Sequence, residues 1–319
     1  MVSTRRFFHT LFLIFLSVFY GSSAFSQGKV RIVVSVDWEG RDLSEHNLAA
    51  MQDFRERFPT VPLQQFLNAA YYTKPQAYAA DLTRSIKSVL RPGDEHGLHI
   101  HAWRSLVTAA GVRFRTGPSF VDQDVDVNWC GVDCGSDVSL TAYTKPELRK
   151  IIRKSVEILT AQGFNRPTSF RAGGWQADDT VLNALAEEGF ALDSSATYAP
   201  YLEASWGAYN LYRFVAELWP TIIPNSQPYT YTSKTGHQIL ELPNNASLAD
   251  YVTGSDMLNA FIAQARLLQA SPQDDVYLSI GFHQETAAAY LPRLISALNQ
   301  IHDYALMRDI PYEFVVAPF

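Results

Sequence analysis

The sequence predicts an α/β fold built on a parallel sheet, barrel or open, and three observations carry that prediction. Strand-like and helix-like segments alternate from residue 29 to the C-terminus with no linker between them. No internal repeat interrupts the series. Acids, histidines and an arginine end five successive strand-like segments, where parallel α/β folds assemble their sites.

Each element has a local reason. Residues 30–36 are a β-branched apolar run that feeds the polar loop Asp37-Trp38-Glu39-Gly40. Ser44 caps a helix carrying Leu48, Met51, Phe54 and Phe58, which Pro59 stops. A second helix is expected over 75–90, with Tyr78, Leu82, Ile86 and Leu90 on one face between Pro75 and Pro92-Gly93. A short strand follows at 98–102, then a helix over 146–162 ending at Gly163. The alternation continues as strand 168–171, helix 178–188, strands 190–192 and 238–242, helix 255–269, strand 276–282, helix 285–307 and terminal strand 312–316. Residues 198–231 break the rhythm: Tyr198, Tyr201, Trp206, Tyr209, Trp219 and Tyr231 stand among four prolines. This aromatic-rich insertion either lines a cleft or packs over the sheet.

Composition narrows the function classes. The 319 residues are 47% hydrophobic and 18% charged, enough for a large buried core. A net charge of -6 and no basic run argue against nucleic acid as a partner. Residues 1–26 read as a signal peptide: Arg5 and Arg6, an apolar stretch over 11–20, then Ala24-Phe25-Ser26. That stretch is too short to span a bilayer, so the expected mature chain is one domain, 27–319, periplasmic or secreted, with no stable membrane insertion. Cys130 and Cys134 are the only cysteines, and an oxidising compartment favours a disulfide between them over a ligand pair.

The strand-end clusters are Asp37/Glu39, His96/His99/His101, Arg171, Asp193 and His283/Glu285. Residues i and i+2 on a strand share a face, so Asp37 with Glu39, and His99 with His101, each present two ligand-type side chains together. Two imidazoles and a carboxylate with one open position form a hydrolytic metal site.

In this order the clusters resemble the polysaccharide deacetylase family with the NodB homology fold, over about residues 30–316. The likeness rests on Val34-Ser35-Val36-Asp37, on Glu95-His96-Gly97-Leu98-His99-Ile100-His101 and on Ser169-Phe170-Arg171-Ala172-Gly173-Gly174-Trp175. It continues in Asp193-Ser194-Ser195 and in Ile280-Gly281-Phe282-His283. It implies a distorted (β/α) barrel with fewer than eight parallel strands and a divalent metal, zinc by expectation. The implied activity is removal of N- or O-linked acetyl groups from an acetylated glycan. By the same resemblance Asp37 is the general base, Arg171 its orienting partner, His283 the general acid, Asp193 the holder of the acid's far nitrogen, and His99 a metal ligand.

Two positions depart from the family pattern. Trp38 stands where a second Asp serves the metal, and Trp103 where the second His falls. Glu39 and His101 are the nearest substitutes on the right faces, so the expected ligands are Glu39, His99 and His101. Should Asp37 ligate instead, Glu39 is left as the base. Trp38, Trp103 and Trp175 are the candidate substrate-binding residues. Two rival readings use the same residues: a retaining glycosidase built on Asp37, Glu39 or Glu285, which leaves the histidines idle, and a non-catalytic glycan-binding protein on the same fold.

Overall fold

A computed structural model describes residues 27–75 and 77–317. The expected signal peptide lies outside the described residues. In chain order the first elements are β1 (Val30–Asp37), α1 (Glu45–Arg57), β2 (Leu63–Leu67), α2 (Ala79–Lys87), β3 (Glu95–Ile100) and α3 (Arg104–Ala109). Next come α4 (Lys145–Ala161), β4 (Ser169–Ala172), α5 (Asp179–Glu187), β5 (Leu192–Asp193), α6 (Glu203–Trp206) and α7 (Asn210–Leu218). The chain ends with β6 (Tyr229–Thr232), β7 (Gln238–Glu241), α8 (Gly254–Ala270), β8 (Val276–His283), α9 (Ala287–Arg308) and β9 (Tyr312–Phe314).

The described strands form one sheet ordered β6-β7-β5-β4-β3-β2-β1-β8. From β7 to β8 every neighbouring pair is parallel, and β6 alone turns back antiparallel on β7. β8 runs along β1 from Val30 to Asp37, β2 pairs with Val34 to Asp37, and β9 pairs with Val30 to Ile32. β9 therefore extends the β2 edge of β1 instead of adding a stave, and seven parallel strands make the wall. The sheet curls: the irregular chain after β7 bridges Asn244 to Thr197 and Leu248 to Gly281, joining the β5 side to β8. This is a distorted, incompletely closed barrel, as the resemblance implies.

Capping explains the helices. Ser44 accepts from the backbone N–H of Asn47 at the start of α1, and Asp178 from that of Val181 at α5. Reciprocal Thr144/Glu147 and Thr253/Asp256 boxes open α4 and α8. Gly163 and Gly189, at φ +74° and +83°, take the left-handed turn that ends α4 and α5.

Three expectations need correction. β2 was not foreseen, because Leu63-Gln64-Gln65-Phe66-Leu67 has no alternation of polar and apolar residues. Both glutamines are buried and bonded, Gln65 Oε1 to Trp38 Nε1 and Gln64 Nε2 to Ser169 Oγ. α2 begins only at Ala79, since Tyr78 is extended and serves as its N-cap. The 198–231 insertion contains α6, α7 and part of β6 rather than loop alone.

Candidate active site

β1, β3, β4 and β8 present alternate side chains to the barrel interior at their C-terminal ends. Register sets who meets whom: Asp37 lies opposite His283, and His99 opposite Arg171. Asp37, His99 and Arg171 are all buried.

Arg171 is fixed on three sides. Its Nη1 donates to Asp37 Oδ1 and Ser35 Oγ, both at 2.8 Å, Nε to the Ser194 carbonyl at 2.9 Å, and Nη2 to Ser194 Oγ at 2.8 Å. The guanidinium also lies 4.5 Å from the centre of the Phe66 ring. Asp37 is thus held by a planar fork that is itself immobilised.

Glu39, His99 and His101 form a cluster whose ligand atoms lie within 4.8 Å of one another, a grouping able to hold a metal ion. His99 Nδ1 donates to the Arg171 carbonyl at 2.8 Å, and His101 Nδ1 donates to the carbonyl of Ser136. Carbonyl oxygens only accept, so each Nδ1 carries hydrogen and each Nε2 is left facing Glu39, at 3.3 Å for His99 and 2.8 Å for His101. His101 Nε2 is buried and, despite that short separation, has no hydrogen bond of acceptable geometry. Two nitrogen lone pairs aimed at a carboxylate repel unless positive charge sits between them, and this donor set, backed by carbonyls at the far nitrogens, fits a divalent cation. Without one, charge falls on the protein. Burial would raise the Glu39 carboxyl, but the charges of His101 and His283 hold it well below the usual range. His101 is raised in turn, Glu39 outweighing the opposing effect of burial.

His283 stands at the third side, its Nε2 3.4 Å from Glu39 Oε1 and its Nδ1 3.0 Å from Asp250 Oδ2. Burial opposes its charge, yet the carboxylates of Asp250 and Glu39 push it up to about 10. Asp250 also accepts from Thr286 Oγ1, and Arg293 Nη1 donates to its carbonyl.

The expectation that Asp193 holds His283 is therefore wrong. In register Asp193 lies opposite Phe170, whose neighbour Arg171 points inward, so Asp193 faces the outer side of the wall. There it accepts from the hydroxyl and backbone N–H of Ser195 and faces Glu241. Burial raises both carboxyls, Glu241 furthest, with the nearby Asp193 charge adding to it. Asp250 was missed because it arrives on the irregular bridge after β7; its only sequence signal was an acid between two apolar residues and the Thr253 cap.

The tryptophans divide. Trp38 is fully buried outside the cleft, its Nε1 on Gln65, and is no substrate surface. Trp103 is also buried, donating from Nε1 to the Glu39 carbonyl at 2.8 Å beneath the Lys74 ammonium, so it positions Glu39 instead of meeting substrate. Trp175, at φ +57°, lines the cleft and meets Tyr251 edge-on. His96 points the other way, onto Phe164. Glu285 accepts from the backbone N–H groups of Glu39 and Arg41 and from Tyr71 Oη, fixing the loop that carries Glu39. Cys130 and Cys134 are joined as expected, with Cα atoms 4.8 Å apart.

Above the cluster is a cavity of about 130 Å3 lined by Glu39, His101, His283, Phe120, Trp175 and Tyr251, with Trp206 from the insertion. The insertion does both things expected of it: Trp206 lines the cleft, and Trp219 packs behind it, bonded to the Trp175 carbonyl.

No protein-family model matches the sequence, and no curated protein matches it. Solved structures do. The chain is similar to a Mycobacterium smegmatis protein described as a polysaccharide deacetylase, at 14% identity over 92% of this chain and 95% of that one, TM-score 0.46. It is similar to an allantoinase at 17% identity over 85% and 69%, TM-score 0.47. It is also similar to a family 4 carbohydrate esterase from Streptomyces lividans, solved in complex with acetate, at 10% identity over 92% of this chain and 98% of that one, TM-score 0.41.

Proposed function

We propose that this chain is a metal-dependent hydrolase that removes N- or O-linked acetyl groups from a polysaccharide or oligosaccharide, exported to the periplasm or beyond the cell. The observation that carries the reading is the Glu39–His99–His101 cluster set between Asp37 on Arg171 and His283 on Asp250, under one cavity.

Glu39, His99 and His101 would hold the cation, zinc by expectation. A divalent ion bound there polarises an acyl carbonyl and makes water easier to deprotonate. Asp37 stands outside the ligand cluster, which frees it to take the proton of the attacking water while Arg171 keeps its carboxylate aimed. His283, backed by Asp250, gives a proton to the departing amine or alkoxide. Trp175, Tyr251, Phe120 and Trp206 enclose the reacting carbon and limit water. Glu285, the spare carboxyl of a glycosidase reading, is committed to the Glu39 loop.

The test is elemental analysis of the purified protein, with acetate release from acetylated oligosaccharides measured before and after chelation. About one divalent ion per chain is expected, with acetate release lost to chelator and restored by metal. A metal-free protein that binds glycan and releases no acetate would make it a binding protein instead. Glycosidic cleavage indifferent to chelator would make it a glycosidase.

A further inference from the structure

The disulfide reaches further than its own turn. Cys130 and Cys134 close a turn whose exit, Gly135-Ser136, lies against the site, with Ser136 lining the cavity. The Ser136 carbonyl accepts from His101 Nδ1 and so turns Nε2 toward Glu39. His99 draws the same support from the Arg171 carbonyl in the barrel wall, so of the two imidazoles only His101 depends on this loop. Gly135, at φ +92°, sits so close that a Cβ there would fall 2.8 Å from the Ala102 carbonyl, and the exit of the turn is therefore pressed onto the chain just past His101.

The turn reaches a second ligand through Asp133. Its Oδ1 accepts from the backbone N–H groups of Ser105 and Cys134, and its Oδ2 from the Ser105 hydroxyl. Lys74 Nζ lies 3.4 Å from Asp133 Oδ2 and 3.5 Å from the centre of the Trp103 ring, whose indole N–H is donated to the Glu39 carbonyl. Asp133 thus holds the cation that covers the residue positioning Glu39. Gly131 and Val132 make no hydrogen bond with a described residue, so the S–S bond is what closes the turn. A reagent can reach it: Trp129 is 86% exposed and Val132 69%. Arg104 Nη1 lies 3.7 Å from Cys130 Sγ, where its charge favours departure of that sulfur as thiolate.

We propose that the Cys130–Cys134 disulfide is a redox-sensitive clamp on the metal cluster, holding Ser136 on His101 and Asp133 over the support of Glu39, and that a dithiol reductant loosens the metal by opening it. A thiolate of the reductant attacks Cys134 Sγ, the S–S bond breaks, and Cys130 leaves as thiolate beside Arg104. The second thiol of the reductant then displaces Cys134 from the mixed disulfide. The reductant ends as its own disulfide, and two electrons and two protons pass to the cysteines. The inference rests on the reading of Glu39, His99 and His101 as metal ligands.

Zinc titrated against a chromophoric chelator tests it on the full chain in three states: oxidised, reduced with dithiothreitol and then freed of it, and reoxidised. Free thiols at both Cys130 and Cys134 mark the open form. Opening should lower zinc affinity about tenfold, the cost of losing a group that orients a metal-bound histidine, and reoxidation should restore it. Cys130→Ser combined with Cys134→Ser should show the same loss and ignore dithiothreitol. A merely structural bond would not move zinc affinity, and so short a loop constrains the unfolded chain only weakly, so the melting temperature should change little. Equal zinc affinity in the oxidised and opened protein would overturn the clamp and leave the metal reading standing, as would a folded protein in which dithiothreitol frees no thiol. A loss in the reduced protein but not in the double variant would trace to the free thiols and overturn it too. If the double variant fails to fold, the reduced and reoxidised native chain decides alone. No zinc bound by the oxidised protein would remove the metal reading and the clamp with it.

Discussion

Asp250 Oδ2 accepts from His283 Nδ1 across 3.0 Å, and this leaves Nε2 turned toward the cleft, 3.4 Å from Glu39. A carboxylate behind an imidazole fixes its tautomer and supports its charge, and a general acid needs both. Asp250→Asn keeps the shape and removes the charge. Acetate release should fall about a hundredfold or more, with metal content unchanged because Asp250 is not in the ligand cluster. Turnover within a few-fold of native would take Asp250, and with it the acid role of His283, out of the mechanism.

His99 and His101 turn Nε2 to one carboxylate while carbonyls hold their Nδ1–H groups. Replacing Glu39, His99 or His101 singly by Ala should lower metal affinity at least about tenfold, read by titration with a chromophoric chelator. Chelating the native protein should also lower its melting temperature, because a ligand bound only by the folded state stabilises it. Native metal content in the triple variant would show the ligands lie elsewhere.

What the sequence made legible follows from where alternation holds. Glu39, His99 and His101 sit on or just past strands that keep the two-residue period, so their convergence could be inferred from spacing. The same rule, carried through the register, excludes Asp193, since Asp193 pairs with Phe170 and not Arg171. That register was invisible, because β5 is only Leu192–Asp193, too short to carry a pattern. Asp250 comes in on the closing segment that bridges Leu248 to Gly281, a tertiary pairing with no periodicity to read. Trp38 and Trp103 misled by their proximity to the motifs: both are buried, and their indole N–H groups are spent on Gln65 and on the Glu39 carbonyl.

Arg171 joins stability to the site. It is 1% exposed and bonds Asp37, Ser35 and Ser194 at once. Arg171→Ala would leave Asp37 buried without its cation, at a cost of about 3 kcal/mol or more in denaturant unfolding. Arg171→Lys keeps the charge but not the fork, so it should recover only part of the stability and little of the turnover. If Lys restored full activity, the Ser194 bonds would have no part in aiming Asp37.

Glu95 gives a pH dependence separate from the metal cluster. It points into the barrel between Gln64 and Ser169, and burial pushes its carboxyl up to about 7 despite both hydrogen bonds. In the unfolded chain an ordinary Glu ionises near about 4.3. The folded state therefore holds this proton more tightly, and stability from Glu95 is fully present below about pH 4.3. It declines as pH rises toward about 7 and is flat above, where both states are ionised. Glu95→Gln keeps the neutral shape at every pH and should remove that decline. Urea unfolding at pH 5 and 8 should show the variant gaining on the native protein by on the order of 2 kcal/mol at the higher pH. An equal difference at both pH values would mean that Glu95 titrates normally and that burial is not setting its charge.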